Sequence, residues 1–232
     1  MTGFGNPSSS ALRSVLRTIA PRSLRVMTLV PRRLPLWRKA GVIFIHVPKN
    51  AGTSVNEAVY GRFMGHVPAR LVSRLAPRAF ASLPSFSLLR DPVDRCRSAY
   101  RFARAGRGRG DGAIAGMASA GLYRRPEFES FERFVAEWLV RQDLASADPV
   151  FRTQASYVCD SNGVVLVDHL GRVESIHETE EWVSECLRRP VRFLRTNTTL
   201  RGSSPKRIDA HTRSMVESLY EADLRLITSR FG

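Results

Sequence analysis

The first strong pattern along the chain is an apolar run, Val42-Ile-Phe-Ile-His-Val47, interrupted only by His46 and stopped by Pro48. A run without polar alternation predicts a central parallel strand covered on both faces. After a short loop, Val55, Ala58, Val59 and Phe63 recur at helical spacing. A second short strand is predicted over Phe86 to Leu89. A helix follows it, with Asp91 as N-cap and Pro92 at the first helical position, where a missing N–H costs nothing. Further on, residues 127–140 predict a helix with Phe128, Phe131, Val135, Trp138 and Leu139 on one core-facing side. A turn at Asn162-Gly163 leads into a strand from Val164 that ends at Asp168. Thr179 to Leu187 reads as a helix, Val191 to Leu194 as a short strand, and Asp209 to Arg230 as one long amphipathic helix. Strands alternating with helices predict an α/β fold, a three-layer domain with a central parallel β-sheet flanked by helices.

The join at Pro48 carries candidate chemistry. A strand, a tight turn and a helix N-terminus aim free backbone N–H groups at one point, where an anion can be held. Lys49, Asn50, Ala51, Gly52, Thr53 and Ser54 occupy that turn. The nucleoside-triphosphate loop G-x-x-x-x-G-K-[ST] does not fit, because Lys49 precedes Gly52 by three positions and the first glycine of that pattern is missing. The turn is a related but distinct anion cradle, P-loop-like in its strand–turn–helix order. Some forty residues on, Phe86-Ser-Leu-Leu-Arg-Asp-Pro-Val-Asp-Arg-Cys-Arg-Ser-Ala-Tyr100 puts Arg90 at a strand end and Ser98 two turns into a helix. An arginine offers a terminal phosphate a forked pair of charge-assisted hydrogen bonds, and a serine hydroxyl can complete its coordination.

These two stretches resemble the signature loops of the carbohydrate-type sulfotransferases, of the heparan-sulfate 2-O kind, that use 3′-phosphoadenosine 5′-phosphosulfate. The first is similar to the family's 5′-phosphosulfate loop, the second to its R-D-P-x-x-R-x-x-S-x-Y site for the 3′-phosphate. Phe151-Arg-Thr-Gln-Ala-Ser-Tyr157, the run to Glu174 with its G-R-V-E turn, and Tyr220-Glu-Ala-Asp-Leu224 resemble later family segments. The likeness spans about residues 41 to 228. It implies sulfuryl transfer from that donor to a hydroxyl of a carbohydrate or glycoconjugate, leaving 3′-phosphoadenosine 5′-phosphate, with no metal expected. It also implies that Lys49 contacts the leaving group, that the 50–54 turn holds the 5′-phosphate, and that Arg90 and Ser98 grip the 3′-phosphate.

Sulfuryl transfer to an alcohol needs an in-line approach, a base for the hydroxyl proton, and positive charge where the leaving oxygen develops charge. His66, after the first helix, is the candidate base, since ligands enter open α/β sheets at the carboxyl ends of the strands and imidazole titrates near neutrality. His46 reads first as a core residue. His169, His177, His211 and Glu57 are lesser candidates. Arg172 either touches the nucleotide or acceptor, or pairs structurally with Glu174. Asn197, Thr198, Thr199, Arg201 and Lys206 form a polar basic segment that fits family motifs poorly. A nucleotide-dependent phosphotransferase is the runner-up, on the strength of a strand ending in a magnesium-binding Asp168; an inactive nucleotide-binding protein is a third reading.

The net charge of +15 comes from 33 Arg against three Lys, at 39, 49 and 206, so Lys49 is one of very few lysines and falls inside the anion loop. Residues 1–40 hold seven Arg, one Lys and no acidic residue. A basic surface attracts a polyanionic donor, an acidic glycan or nucleic acid. Nucleic acid has charge alone in its favour, with no zinc-finger spacing, basic-leucine heptad or RNA-binding signature, and is not expected as a partner. The chain divides into a basic arm, 1–38, and a sulfotransferase-like domain, 39–232. The arm from Ala11 to Arg33, with Leu12, Val15, Leu16 and Ile19 at helical spacing, either lies on an anionic membrane surface, resembles a transit peptide, or is a flexible tail broken by Pro21, Pro31 and Pro35. Residues 103–116 read as a Gly/Arg loop. Cys96, Cys159 and Cys186 read as reduced thiols of a cytoplasmic protein.

Overall fold

The computed structural model describes residues 26–105, 122–194 and 208–232. The chain order is α1 (Leu29–Ala40), β1 (Ile43–Phe44), α2 (Gly52–Tyr60), α3 (Ala69–Leu75), α4 (Pro77–Ser82), β2 (Ser85–Leu89) and α5 (Pro92–Arg104). After short 3-10 turns come α6 (Phe131–Arg133), α7 (Ala155–Val158), β3 (His169–Arg172), α8 (Ile176–Leu187), α9 (Ala210–Leu219) and α10 (Glu221–Phe231). The three strands form a parallel sheet in the order β1-β2-β3, with Phe44 opposite Phe86 and Leu89 opposite Arg172.

Side-chain alternation along the strands builds the layers. Ile43, Ile45, Val47 and Leu89 point to one face, where they pack with Leu29, Val30 and Trp37 of α1, Val72 of α3, Tyr157 and Val158 of α7, and Leu226 of α10. Val42, Phe44, Phe86 and Leu88 point to the other, against Val55 and Val59 of α2 and Val183 of α8. This is the three-layer α/β arrangement around a parallel sheet that the sequence predicts. A separate aromatic cluster joins α5 and α9 through Tyr100, Tyr123, Phe128, Phe134, Trp138 and Phe151.

Several predicted elements differ in detail. The central strand is β2, and β1 lies at one end of the described sheet. Both faces of β1 are covered by helices, which the apolar run reports; its position in the strand order is not encoded there. Its outer edge is satisfied by one side chain. The Phe44 N–H donates to Tyr60 Oη at 2.8 Å, and that hydroxyl donates to the Val42 carbonyl at 3.0 Å. The residues Val164–Asp168 do not form the third strand; Val165 makes an isolated antiparallel bridge with Cys159 around the Asn162-Gly163 turn, and β3 starts only at His169. The predicted 127–140 helix is a succession of a 3-10 turn at Pro126–Phe128, α6 capped by Ser130, and a π-type turn at Phe134–Trp138. Its aromatics are buried as predicted. Residues 191–194 are tied to α8 by Ser184 and Glu180 side chains, not by a strand ladder. The long C-terminal helix is two helices, broken at Tyr220, whose side chain is buried and whose hydroxyl donates to the Phe151 carbonyl.

The helix α1 takes in Pro31 and Pro35, so those prolines do not break it; burial of Leu29, Val30 and Trp37 outweighs the hydrogen bond lost at Pro35. It also spans the 38/39 boundary drawn between arm and domain. Residues 11–25 of the arm, most of the Gly/Arg loop and the Asn197–Lys206 segment lie outside the described residues. No described helix is long and apolar enough to cross a membrane. All three cysteines are free; Cys96 and Cys159 are buried.

Candidate active site

Because β1 and β2 are parallel, the loops that leave them open at the same edge of the sheet. The loop after β1 bends through Lys49 (φ 72°) and Ala51 (φ 55°), two non-glycine residues in the left-handed region. Such residues cost about 1–3 kcal/mol each and persist only where their surroundings hold them. Here the surroundings are polar and buried. The Asn50 side chain is fully buried, and its Nδ2 donates to the Leu88 carbonyl at 2.7 Å and to Gln154 Oε1 at 2.6 Å. Arg95, also fully buried, donates through Nε to the Pro48 carbonyl at 3.2 Å. The loop ends in α2, whose first residues, Gly52 and Thr53, have N–H groups without an intrahelical acceptor. Asn50 N–H donates to Val47 at 3.4 Å and Ser54 N–H to Ala51 at 3.1 Å, so these two close the turn. Thr53 is exposed and Ser54 is buried.

Gly52 is required by a close approach. A Cβ there would lie 1.9 Å from both Cδ2 and Nε2 of His46. His46 is 5% exposed, and its ring stacks with Phe44 and lies 4.1 Å, centroid to centroid, from the His66 ring. Asn56 Nδ2 lies 3.0 Å from His46 Nδ1; with the amide donating, the neutral ring carries its proton on Nε2. Burial first, then the His66 and Lys49 charges, push its pKa well below the usual histidine range. His46 is thus the core residue expected from its place on the strand.

His66 lies on the loop that folds back over the end of β1. Its Nδ1 is 3.0 Å from the His46 carbonyl oxygen. A carbonyl only accepts, so the proton sits on Nδ1 and the basic nitrogen of the neutral ring is Nε2.

Arg90 leaves β2 beside the loop, with Nη1 3.4 Å from the Lys49 carbonyl. Asp91 caps α5 by accepting the Asp94 N–H at 2.8 Å, as its position before Pro92 predicts. Ser98 lies in α5, on the helix face between two residues that meet the loop. Arg95, three residues before it, reaches Pro48, and Phe102, four residues after it, has its ring 4.3 Å from Lys49 Nζ. Lys49, the 50–54 turn and Arg90 therefore converge on one edge, beside the face of α5 that carries Arg95, Ser98 and Phe102. Arg172, at the end of neighbouring β3, pairs with Glu174 at 3.3 Å and lies near the Phe231 ring. Glu174 also accepts the Asp91 N–H at 3.1 Å.

The other candidates fall elsewhere. Asp168 lies at the opposite, amino edge of the sheet, accepting Ser85 N–H at 2.8 Å and Ser85 Oγ at 2.7 Å. It precedes β3 and anchors β2, so it is not a strand-end metal ligand facing the loop. His169 opens β3 and stacks on Trp182. His177, His211 and Glu57 are exposed on helices.

The model of the sulfotransferase family matches residues 36–227. The chain belongs to the sulfotransferase family. No curated protein and no solved structure matches it. The match covers the cradle, Arg90, Ser98 and Arg172 of this sulfotransferase together, close to the 41–228 span of the sequence likeness.

Two residues beside the loop carry no role in the sequence expectations. Gln154 falls inside the quoted Phe151–Tyr157 segment, but an amide has no spacing rule that marks it as buried. Arg95 is the second arginine of the R-D-P-x-x-R-x-x-S-x-Y signature, and it shares a helix face with Ala99 and Phe102, so it points inward despite its charge.

Proposed function

We propose that this sulfotransferase moves a sulfuryl group from 3′-phosphoadenosine 5′-phosphosulfate to a hydroxyl of a carbohydrate or glycoconjugate by in-line displacement. The observation that carries the reading is the meeting of the Lys49–Ser54 cradle and Arg90 at one sheet edge, 3.4 Å apart at their nearest hydrogen-bonding atoms. Two anion-holding elements side by side suit a donor with phosphate at two places. The chemistry of the atoms fits such a group. The cradle has orphan N–H groups, left-handed residues of the kind that build anion-binding turns, and the side chain of Lys49. Asp91 and Glu174, the carboxylates near Arg90, are turned to backbone N–H groups.

When bound, the donor supplies an activated sulfuryl group on a phosphate leaving group. In this reading Ala51, Gly52 and Thr53 hold the adjoining phosphate through N–H groups, with Asn50 and Ser54 closing the turn and the exposed Thr53 hydroxyl as a further donor. Arg90 and Ser98 take the 3′-phosphate, and Arg172 is an outer contact shared with Glu174. Lys49 neutralises charge at the leaving oxygen. His66 takes the acceptor proton at Nε2, its ring oriented by the Nδ1–H bond to His46. We place the protein in the cytoplasm, with its basic arm able to touch an anionic membrane face; the excess of arginine and the lack of acidic residues in 1–40 support that contact.

The test is transfer itself. The full chain is incubated with labelled-sulfate donor and glycan, lipid-linked sugar and small-alcohol acceptors. Labelled acceptor that disappears with Lys49→Ala supports the reading. Phosphate transfer from ATP with magnesium, and no sulfate transfer, overturns it.

A further inference from the structure

We infer that Gln154 is a positioning residue that locks the two ends of the anion clamp to one another, an inference that rests on the donor reading above for its ligand but on the fold for its geometry. Gln154 is fully buried. Its Oε1 accepts from Asn50 Nδ2 at 2.6 Å and from the Arg90 N–H at 3.0 Å, and its Nε2 donates to the Arg90 carbonyl at 2.8 Å. One amide therefore bonds the strained loop and holds both backbone groups of Arg90. Its own backbone is held in turn. Asp223, fully buried on α10, accepts the Gln154 N–H at 2.9 Å and the Ala155 N–H at 2.9 Å.

The consequence is mechanical and energetic. Lys49 and Ala51 sit in left-handed conformations that need outside support, and Asn50, between them, donates one of its two side-chain hydrogen bonds to Gln154. Arg90 is attached to the same amide, so a displacement of the loop and a displacement of the β2 end are the same displacement. The cradle and Arg90 therefore present themselves to a two-ended ligand at a preset separation, and ligand binding need not order one against the other.

Two near-isosteric variants separate this role from general stability. Gln154→Leu removes all three side-chain hydrogen bonds; Gln154→Glu keeps an acceptor oxygen and loses the donor to the Arg90 carbonyl. Calorimetry on the full chain compares 3′-phosphoadenosine 5′-phosphate with adenosine 5′-monophosphate, so that the affinity ratio reads the contribution of the 3′-phosphate. The ratio is expected to fall about tenfold in Gln154→Leu and less in Gln154→Glu, the scale of one buried hydrogen-bond loss. Arg90→Ala should lower it in the wild type and add little in Gln154→Leu. A ratio unchanged in both variants overturns the coupling even if they are less stable. The second readout needs no ligand. In the free protein, amide exchange of residues 49–55 and 90–94 should accelerate together in either variant; acceleration of one segment alone, or of neither, overturns the coupling. Should the wild type bind neither nucleotide, the donor reading falls, and the exchange result alone decides the role of Gln154.

Discussion

Replacing Gly52 by alanine tests how the anion loop is packed. The added Cβ would stand 1.9 Å from two atoms of the His46 ring, where ordinary contact begins near 3.4 Å, so something must move by about 1.5 Å. The ring has nowhere to go. It is packed among Phe44, Phe63 and His66 and bonded to Asn56. Overpacking of this kind costs about 1–3 kcal/mol, and losing the Asn56 bond adds about 1 kcal/mol or more. Alanine recovers about 0.5–1 kcal/mol through helix propensity and a less mobile unfolded chain. The net loss is about 2 kcal/mol, or about 4–8 °C in Tm for a chain of this size. The assay is urea denaturation of Gly52→Ala, His46→Ala and the double variant. In the His46→Ala background the extra methyl should cost nothing, a coupling of about 2 kcal/mol. Equal costs of Gly52→Ala in both backgrounds would refute the contact.

Three further outcomes are expected. Tyr60→Phe leaves the Phe44 N–H and the Val42 carbonyl without the hydroxyl that serves both, and should lose about 2–4 kcal/mol in denaturant titration; a loss under about 0.5 kcal/mol would mean that water replaces it. His66→Ala should cut kcat by about 100-fold or more with nucleotide affinity unchanged, and full activity in that variant would remove His66 as the base. The His46 pKa is lowered on folding, so the folded protein resists a proton that the unfolded chain accepts. The His46 contribution to stability is intact above the unfolded value near 6.5 and is lost as pH falls below it, by about 1.4 kcal/mol per unit until the folded pKa is reached. Subtracting the pH profile of His46→Ala isolates that slope; identical profiles would contradict it.

The loop and the capped helix were legible because their signals are local. Pro48 stops an apolar run, Asp91-Pro92 starts a helix, and the residues between them and Ser98 follow from helical spacing. Burial of the Phe128–Leu139 aromatics was legible for the same reason. Strand order was not, because Val42–Val47 is covered on both faces whether or not a strand lies on each side. The displaced third strand has a tertiary cause: Asp168 is anchored to Ser85, and the apolar residues before it turn back toward Cys159. Tyr220 breaks the last helix because its hydroxyl is committed to Phe151 and Asp223 to Gln154. Those partners are about seventy residues away in sequence, and no periodicity encodes them.

In the proposed function one sheet edge holds a nucleotide by two phosphates without a metal. Calorimetry of the full chain with 3′-phosphoadenosine 5′-phosphate, in the absence of magnesium, addresses it directly. Salt-sensitive binding stronger than that of adenosine 5′-monophosphate is expected, with Arg90→Ala erasing the difference and Lys49→Ala leaving it in place. Equal affinity for the two nucleotides, or preference for ATP with magnesium, would contradict it.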